Sequence, residues 1–286
     1  MHLFHRLALL VLPLLAAAGA KEPFKPNLGP DLATITVSCG EVTLLLRQAT
    51  QWTAGRIDYR GSAMTTERSA YGTVFSFPDV GFIGTAHLEN EPEKLESLAF
   101  FVDGKKVETP TAELKGTSFR LERKSRIRAF DLTNIIEIKD NQLHETTTVH
   151  TDEAVALKLV YHFMHAWTPS VSAYLTADDA GALRDDADVA RKFYINKRVD
   201  WMAVFEPKSS QFGVSRLLQA PELGGHISTI WNVPGTYRKF YLKCFNNATV
   251  PAGFTGTWRM VTAFGTSAPD AWETSARKLA HELLQP

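Results

Sequence analysis

Four histidines lie close together in the sequence: His144, His150, His162 and His165. A zinc site needs three or four ligands that converge on one point. In a regular strand, side chains three positions apart, such as those of His162 and His165, point to opposite faces. His144 and His150 share a face, but an extended strand separates them by about 20 Å. The spacing therefore predicts no metal site, and we expect no other cofactor.

His165 is the histidine whose position favours chemistry. It lies near the end of the longest strand pattern, Ala154 to Trp167, in which the odd positions form an apolar and aromatic row. An imidazole at the end of that row could exchange a proton with a sugar oxygen. The alternative is a core histidine that is hydrogen-bonded to the backbone. Parity along the strand predicts that His165 and Trp167, and not His162, face a pocket.

A charged and aromatic segment, Gly55 to Gly61, contains Arg56, Asp58 and Arg60. Guanidinium and carboxylate groups form paired hydrogen bonds with vicinal hydroxyls, so this mixture is typical of a carbohydrate-binding site. The alternative interpretation is a surface ion pair on a turn.

The surrounding region, Trp52 to Glu96, is rich in glycine and in charged residues, but it has too many aromatic residues for disorder. We interpret it as ordered loops and short strands that shape a surface. Within it, Tyr71 is a candidate for substrate binding and His87 is a weaker candidate for acid–base catalysis.

Several classes of function lack support in the sequence. Neither a Gly-x-Ser-x-Gly nucleophile motif nor a glycine loop for phosphate is present. The 31 basic and 31 acidic residues give a net charge of zero, which offers no basis for binding nucleic acid or an anionic membrane.

The elements that must position these residues are mainly strands. The clearest hairpin joins Leu132–Lys139 to Gln142–Thr151 through Asp140 and Asn141, two residues that favour a tight turn. Further strands are predicted over 41–48, 98–103, 117–122, 200–206, 226–231, 236–245 and 257–264. Many strands in series with few helices predict a mainly β fold, a large antiparallel sandwich.

One helix is predicted at the C-terminus. Ser267 and Asp270 have the spacing of a capping box, and Pro269 suits a first turn. The apolar residues that follow repeat at helical spacing: Trp272, Ala276, Leu279, Ala280 and Leu283. The acidic stretch Asp178 to Lys192 is interpreted as a solvated connection or a short helix.

The two cysteines, Cys39 and Cys244, both fall on the apolar face of a predicted strand. In an oxidising compartment they could form a disulfide bond. The alternative is two separate buried thiols that pack as small hydrophobic groups.

The N-terminus has the pattern of a cleavable signal peptide. Arg6 precedes an apolar run from Leu7 to Leu15, and small residues at Ala18 and Ala20 suit a signal peptidase. The run is too short to span a bilayer. We therefore expect a signal peptide over 1–20, a tether over 21–30, a single domain over 31–286, and export to a periplasm or to the outside of the cell.

Three passages together resemble the galactose-mutarotase-like supersandwich family, which includes the aldose 1-epimerases. They are Gly55 to Tyr59, the hairpin from Asp131 to Thr151, and the strand that ends Phe163-Met164-His165-Ala166-Trp167. The resemblance implies a large antiparallel sandwich and, at His165, the general acid of an epimerase. It also implies a glutamate base on a late strand. No Asp or Glu occurs between His226 and Phe264, and Glu222 lies just before, so this base is missing where the family would place it.

The leading hypothesis is an exported carbohydrate-active or carbohydrate-binding protein. The sugar would lie over His165, Trp167 and the loop of Arg56 and Asp58, and epimerisation would be the enzymatic form. One alternative is lyase-type elimination on uronic-acid glycans, with Arg56, Arg60, His87 and Tyr71 as candidates. Another is a non-catalytic envelope or assembly protein with a broad apolar or aromatic patch. Whether His165 lines a polar pocket or lies sealed in the core distinguishes these hypotheses.

Overall fold

The computed structural model describes residues 29–87, 90–184 and 193–284. In these ranges the chain forms 23 strands, a 3-10 helix (Gln48–Thr50) and one α-helix, α1 (Trp272–Glu282). The predicted signal peptide and most of the predicted tether lie outside the described residues.

The strands of the first half are, in chain order, β1 (Thr34–Cys39), β2 (Val42–Arg47), β3 (Ala54–Tyr59), β4 (Ser62–Ala63), β5 (Thr65–Phe77), β6 (Gly81–Gly84), β7 (Lys94–Val102), β8 (Lys105–Val107), β9 (Glu113–Gly116), β10 (Phe119–Ile127), β11 (Phe130–Lys139) and β12 (Gln142–Thr151).

The strands of the second half are β13 (Val155–Leu157), β14 (Leu159–Trp167), β15 (Ala173–Leu175), β16 (Ala180–Ala182), β17 (Phe193–Lys197), β18 (Trp201–Glu206), β19 (Gln211–Gln219), β20 (Ile227–Val233), β21 (Tyr237–Cys244), β22 (Ala248–Val250) and β23 (Phe254–Thr266).

These strands form four sheets. The largest has ten strands in the order β16-β15-β18-β19-β23-β12-β11-β10-β7-β8, and the next has six in the order β17-β20-β21-β14-β5-β6. A five-stranded sheet, β4-β3-β2-β1-β9, and the pair β13-β22 complete the set. Within the described ranges every ladder is antiparallel except that between β1 and β9. The predicted mainly β, antiparallel architecture is confirmed.

The main core fills the space between the sheets because their strands alternate apolar and polar side chains. Val37, Leu121 and Phe240 come from the five-, ten- and six-stranded sheets and belong to one buried cluster. A smaller cluster buries the apolar face of α1 against the ten-stranded sheet, where Trp272 stacks on Phe205.

The predicted hairpin is confirmed as β11 and β12, paired from Lys139 and Gln142 outward. Asp140 and Asn141 have φ angles of 52° and 58°, as a two-residue turn between twisted strands requires.

Three predictions of local structure are corrected. The helix is present, but Ala271 occupies the capping position without a side-chain hydrogen bond, so the predicted capping box does not form. The region from Trp52 to Glu96 contains β5, a strand of 13 residues, which pairs with the neighbouring β6 and also with β14, a strand that is distant in sequence. In the acidic stretch, residues 180–182 form the edge strand β16, and residues 185–192 lie outside the described part of the chain.

Cys39 and Cys244 are both buried free thiols, so the disulfide alternative is not realised. Burial raises the pKa of Cys39 to about 11 and that of Cys244 to about 12. The two residues pack as small hydrophobic groups on β1 and β21, and burial keeps them protonated at neutral pH.

An irregularity at Phe163 changes which residues of β14 face the core. Phe163 has a φ of 54°, and the pairing with β21 shifts register between His162 and His165. His162 lies opposite Leu242 and His165 opposite Phe240. Because Leu242 and Phe240 share a face of β21, the two histidines share a face as well. The parity argument that separated His162 from His165 is therefore wrong.

A buried ion pair joins β10 to the residue before β7. Arg123 Nη2 lies 2.8 Å from Glu93 Oε1, and the two side chains are 1% and 0% exposed. Ser125 donates a further hydrogen bond to the same carboxylate, and Arg123 also donates to the Gln51 carbonyl and to Asn134 Oδ1. The guanidinium and Glu93 Oε1 thus have hydrogen-bond partners, whereas Glu93 Oε2 is buried without one.

No helix in the described part of the chain has both the length and the apolar character needed to cross a membrane.

We predict that Glu93→Gln lowers the free energy of unfolding by about 3–5 kcal/mol, because it leaves the Arg123 guanidinium buried without a counter-charge. Urea denaturation measures this change. Glu113→Gln is the matched control: Glu113 pairs with Lys115 at 3.0 Å on an exposed surface and should change stability little. Similar effects of the two substitutions would contradict the prediction.

Candidate functional site

The structure separates the predicted site residues into three places. Arg56 and Asp58 lie two residues apart on one face of β3, with Arg56 Nε 2.7 Å from Asp58 Oδ1. Arg60 follows in the turn and pairs with Glu41 at 2.7 Å. Both arginines are therefore engaged in partly exposed ion pairs, as the surface interpretation of this segment expects.

His165 and Trp167 lie in the interior between the sheets, where they are 3% and 1% exposed. His165 Nε2 is 2.7 Å from Glu145 Oε2, which comes from β12 of the ten-stranded sheet. The Trp167 ring covers Gly213 of β19 so closely that a Cβ there would lie 2.5 Å from the ring. Trp167 is thus a packed core residue.

The space beside this pair is too small for a sugar. A cavity of about 20 Å³ is bordered by Glu145, Arg123, Asn134 and Phe163, a volume that suits a single water molecule. His165 is sealed in the core, which is the alternative that the sequence left open. The sequence argument also missed Glu145, because its contact with His165 joins residues of two different sheets.

His162 is fully buried as well. Its Nδ1 is 3.1 Å from Thr73 Oγ1, and its ring lies 4.3 Å from that of Trp258, centroid to centroid. Burial lowers the pKa of His162 to about 3, so the imidazole is neutral in the folded protein at any mildly acidic pH.

Tyr71 and His87, the remaining predicted residues, meet on the face of the six-stranded sheet that is turned away from the main core. Their ring centroids are 4.3 Å apart in a stacked arrangement. His87 Nε2 forms a hydrogen bond of 2.7 Å with Tyr161 Oη. The structure therefore places Tyr71 and His87, which the sequence suggested as separate candidates, in contact with each other. It also places Tyr161 beside them.

Lys239 lies at the centre of the same face. Its Nζ is 5.0–5.6 Å from the centroids of four aromatic rings, which belong to Tyr71, Tyr161, Trp231 and Tyr241. These rings come from β5, β14, β20 and β21. We call these residues, together with His87, the Lys239 surface.

Local strand geometry explains the composition of this surface. On β21, Tyr237, Lys239 and Tyr241 alternate with residues of the core. On β14, the irregularity at Phe163 leaves Tyr161 and Met164 on the outer face, in a small cluster of their own. The alternation on β21 was visible in the sequence, but nothing in it showed that rings from three other strands would surround Lys239.

Burial among these rings changes the pKa of Lys239. Burial lowers its pKa to about 8, and burial raises the pKa of Tyr241 to about 12. Aromatic faces attract a cation, so the ammonium form retains favourable contacts. Among the described residues, no carboxylate lies within 4 Å of the Lys239 ammonium. The surface thus offers a cation, aromatic faces and a hydrogen-bonded His–Tyr pair.

No group of three or more His, Cys, Asp or Glu side chains in the described ranges has a geometry that could hold a metal ion.

No protein-family model matches the sequence, and a comparison with curated proteins gives no match. Solved structures do match. The α-N-acetylgalactosaminidase NagBb from Bifidobacterium bifidum, in complex with GalNAc, aligns with a TM-score of 0.55 at 9% identity over 87% of this chain and 39% of that chain. The galactosidase domain of the α-galactosidase-sucrose kinase AgaSK aligns with a TM-score of 0.53 at 6% identity over 82% and 41%.

A GalM/aldose epimerase homologue from C. elegans aligns with a TM-score of 0.49 at 10% identity over 82% of this chain and 98% of that chain. This chain therefore shares its fold with the NagBb and AgaSK structures, and solved structures described as galactose mutarotase-like are among the matches. The resemblance predicted from the sequence is confirmed as a likeness of fold. Because the identities to these three structures are 6–10%, the likeness concerns the fold alone.

We predict that His162 makes the protein less stable as the pH falls. Unfolded histidine takes up a proton near pH 6.5, whereas folded His162 does so only near pH 3, so the unfolded state binds more protons in this window. The contribution amounts to about 1.4 kcal/mol per pH unit below pH 6.5. Urea denaturation between pH 7 and pH 4 measures the slope, and His162→Phe should reduce it.

The control is His281→Phe, which replaces an exposed histidine on α1 and should keep the wild-type slope. An unchanged slope in His162→Phe would show that His162 is not the group responsible.

Proposed function

We propose that this protein binds carbohydrate on the Lys239 surface. The observation that supports the proposal is the single lysine ammonium surrounded by four aromatic rings, beside the hydrogen-bonded pair of His87 and Tyr161. Aromatic rings stack on the apolar faces of sugars, and a few polar groups fix the orientation of the ligand.

The charge of Lys239 favours an acidic sugar. Its ammonium has no carboxylate within 4 Å among the described residues, so a carboxylate on the ligand can supply that partner. A neutral glycan would use the rings but not the charge.

The fold is compatible with a carbohydrate ligand. NagBb, which has a similar fold, is described in complex with GalNAc. We carry this class of ligand to the present chain only as part of the proposal, together with action outside the cytoplasm, which the N-terminal pattern favours.

Epimerisation at His165 is not part of the proposal. The imidazole is paired with Glu145, and the adjacent cavity holds no more than about one water molecule. A sugar ring would reach it only if the core opened.

A second candidate is lyase-type elimination on a uronic-acid glycan, favoured by the position of Lys239 beside the His87–Tyr161 pair. Lys239 would neutralise the carboxylate of the sugar, and the pair would remove the proton on the adjacent carbon. The C–O bond to the leaving sugar then breaks, a C=C bond forms, and the leaving oxygen takes up a proton. The unsaturated product absorbs ultraviolet light, so a rise in absorbance would identify the reaction.

We predict that Lys239→Met weakens binding of oligogalacturonate by about 10- to 100-fold, because it removes a charged partner but keeps a side chain of similar length. Binding is measured by isothermal titration, with a neutral galacto-oligosaccharide as the reference ligand. Since the pKa of Lys239 is about 8, affinity for the acidic glycan should also fall about ten-fold between pH 7 and pH 9.

The matched control is Lys243→Met. Lys243 lies four residues after Lys239 on the same face of β21, with its Nζ 2.7 Å from Asn196 Oδ1 and 5.4 Å from the centroid of the Phe193 ring. It should bind like the wild type. Absence of any glycan binding by the wild type, or equal losses in both variants, would refute the proposal.

A further inference from the structure

A second concave site lies where the chain passes from the ten-stranded sheet to the six-stranded sheet. It is formed by the end of β19, the loop that leads to β20, and the residues just before β18. Its volume is about 440 Å³, which falls in the range of sites for small molecules. We call it the 198–226 pocket.

Its walls carry four side chains with unused hydrogen-bonding capacity: Arg198, Asp200, Glu222 and His226. In the parts of the chain that the structure describes, none of these side chains makes a hydrogen bond or an ion pair with another residue. The His226 Nε2 atom is itself buried and without a partner. Ionisable groups that share a concavity without pairing to one another are available to a ligand.

The charges favour a ligand with a positive group. Two acidic residues, Asp200 and Glu222, and one arginine, Arg198, line the pocket. Burial lowers the pKa of His226, so its imidazole is neutral at pH 7. No aromatic ring lines the pocket apart from this imidazole, which leaves a neutral sugar without a stacking platform.

Packing holds the walls in place. Gly224 has a φ of +91°, and a Cβ there would lie 2.5 Å from the Phe245 ring. The Phe245 amide donates to the Gly224 carbonyl at 2.9 Å, and the Leu217 amide donates to the Asp200 carbonyl at 2.9 Å. The loop is therefore fixed against β21, and the start of β18 against β19.

We infer that the 198–226 pocket binds a small molecule in which a primary ammonium group lies next to hydrogen-bond acceptors, such as an amino sugar or an amino acid. Asp200 and Glu222 accept from the ammonium, and Arg198 donates to the neighbouring hydroxyl or carboxylate oxygen. This site is separate from the Lys239 surface, so the inference does not depend on the proposed function.

The test uses the full mature chain and four probes: glucosamine, serine, glucose and N-acetylglucosamine. We expect glucosamine or serine to bind in isothermal titration and ligand-observed NMR, and whichever of them binds identifies the source of the ammonium. Glucose and N-acetylglucosamine lack the charge and should bind at least ten-fold more weakly.

The double variant Asp200→Asn/Glu222→Gln should lose at least ten-fold in affinity for the amine. Both residues are exposed, so their substitution should leave the fold intact, and an unchanged melting temperature checks this. Lys115→Met, a substitution of an exposed residue on β9, is the control and should bind the amine like the wild type. Equal binding of glucose and glucosamine, no binding of either amine, or undiminished binding by the double variant would overturn the inference.

Discussion

The irregularity at Phe163 is the constraint on which the arrangement of both faces of the six-stranded sheet depends. β14 lies between β5 and β21, so its side chains contribute to the core on one face and to the Lys239 surface on the other. A positive φ at one residue rotates the strand and resets the alternation that follows it. His162 and His165 therefore both enter the core, while Tyr161 and Met164 remain outside.

Polar groups inside the sandwich occur in pairs that span different elements. His165 meets Glu145 across the two large sheets, and Arg123 meets Glu93 within the ten-stranded sheet region. A buried charge without a partner is costly, so such contacts favour one packing of the sheets over others. Histidine, glutamate and arginine are typical of catalytic sites, but here these side chains are buried and stabilise the packing of the sheets.

On the outer face of the six-stranded sheet, Lys239 lies among aromatic rings and, within the described ranges, not beside a side chain of opposite charge. Burial among the aromatic rings costs the Lys239 ammonium part of its hydration and lowers its pKa to about 8, and the faces of the rings recover part of that free energy. β20 connects the two candidate sites, because His226 lies just before it in the 198–226 pocket and Trp231 lies within it on the Lys239 surface. The charges of the two sites are opposite, which favours different ligands.

Elements that depend on local pattern could be predicted from the sequence alone. The hairpin of β11 and β12, the closing helix and the antiparallel β class follow from turn residues and from hydrophobic periodicity, and Tyr71 and His87 were recognised as candidate residues. Which of the candidate site residues contact one another depends on how the strands pair and pack, and this is visible only in the folded protein. A one-residue irregularity inverts strand parity, and contacts such as those between His165 and Glu145, or between Lys239 and the rings of Tyr71 and Tyr161, join residues of different strands. The alternation of apolar and polar residues does not predict such contacts, because it indicates whether a residue is buried but not which residue it contacts.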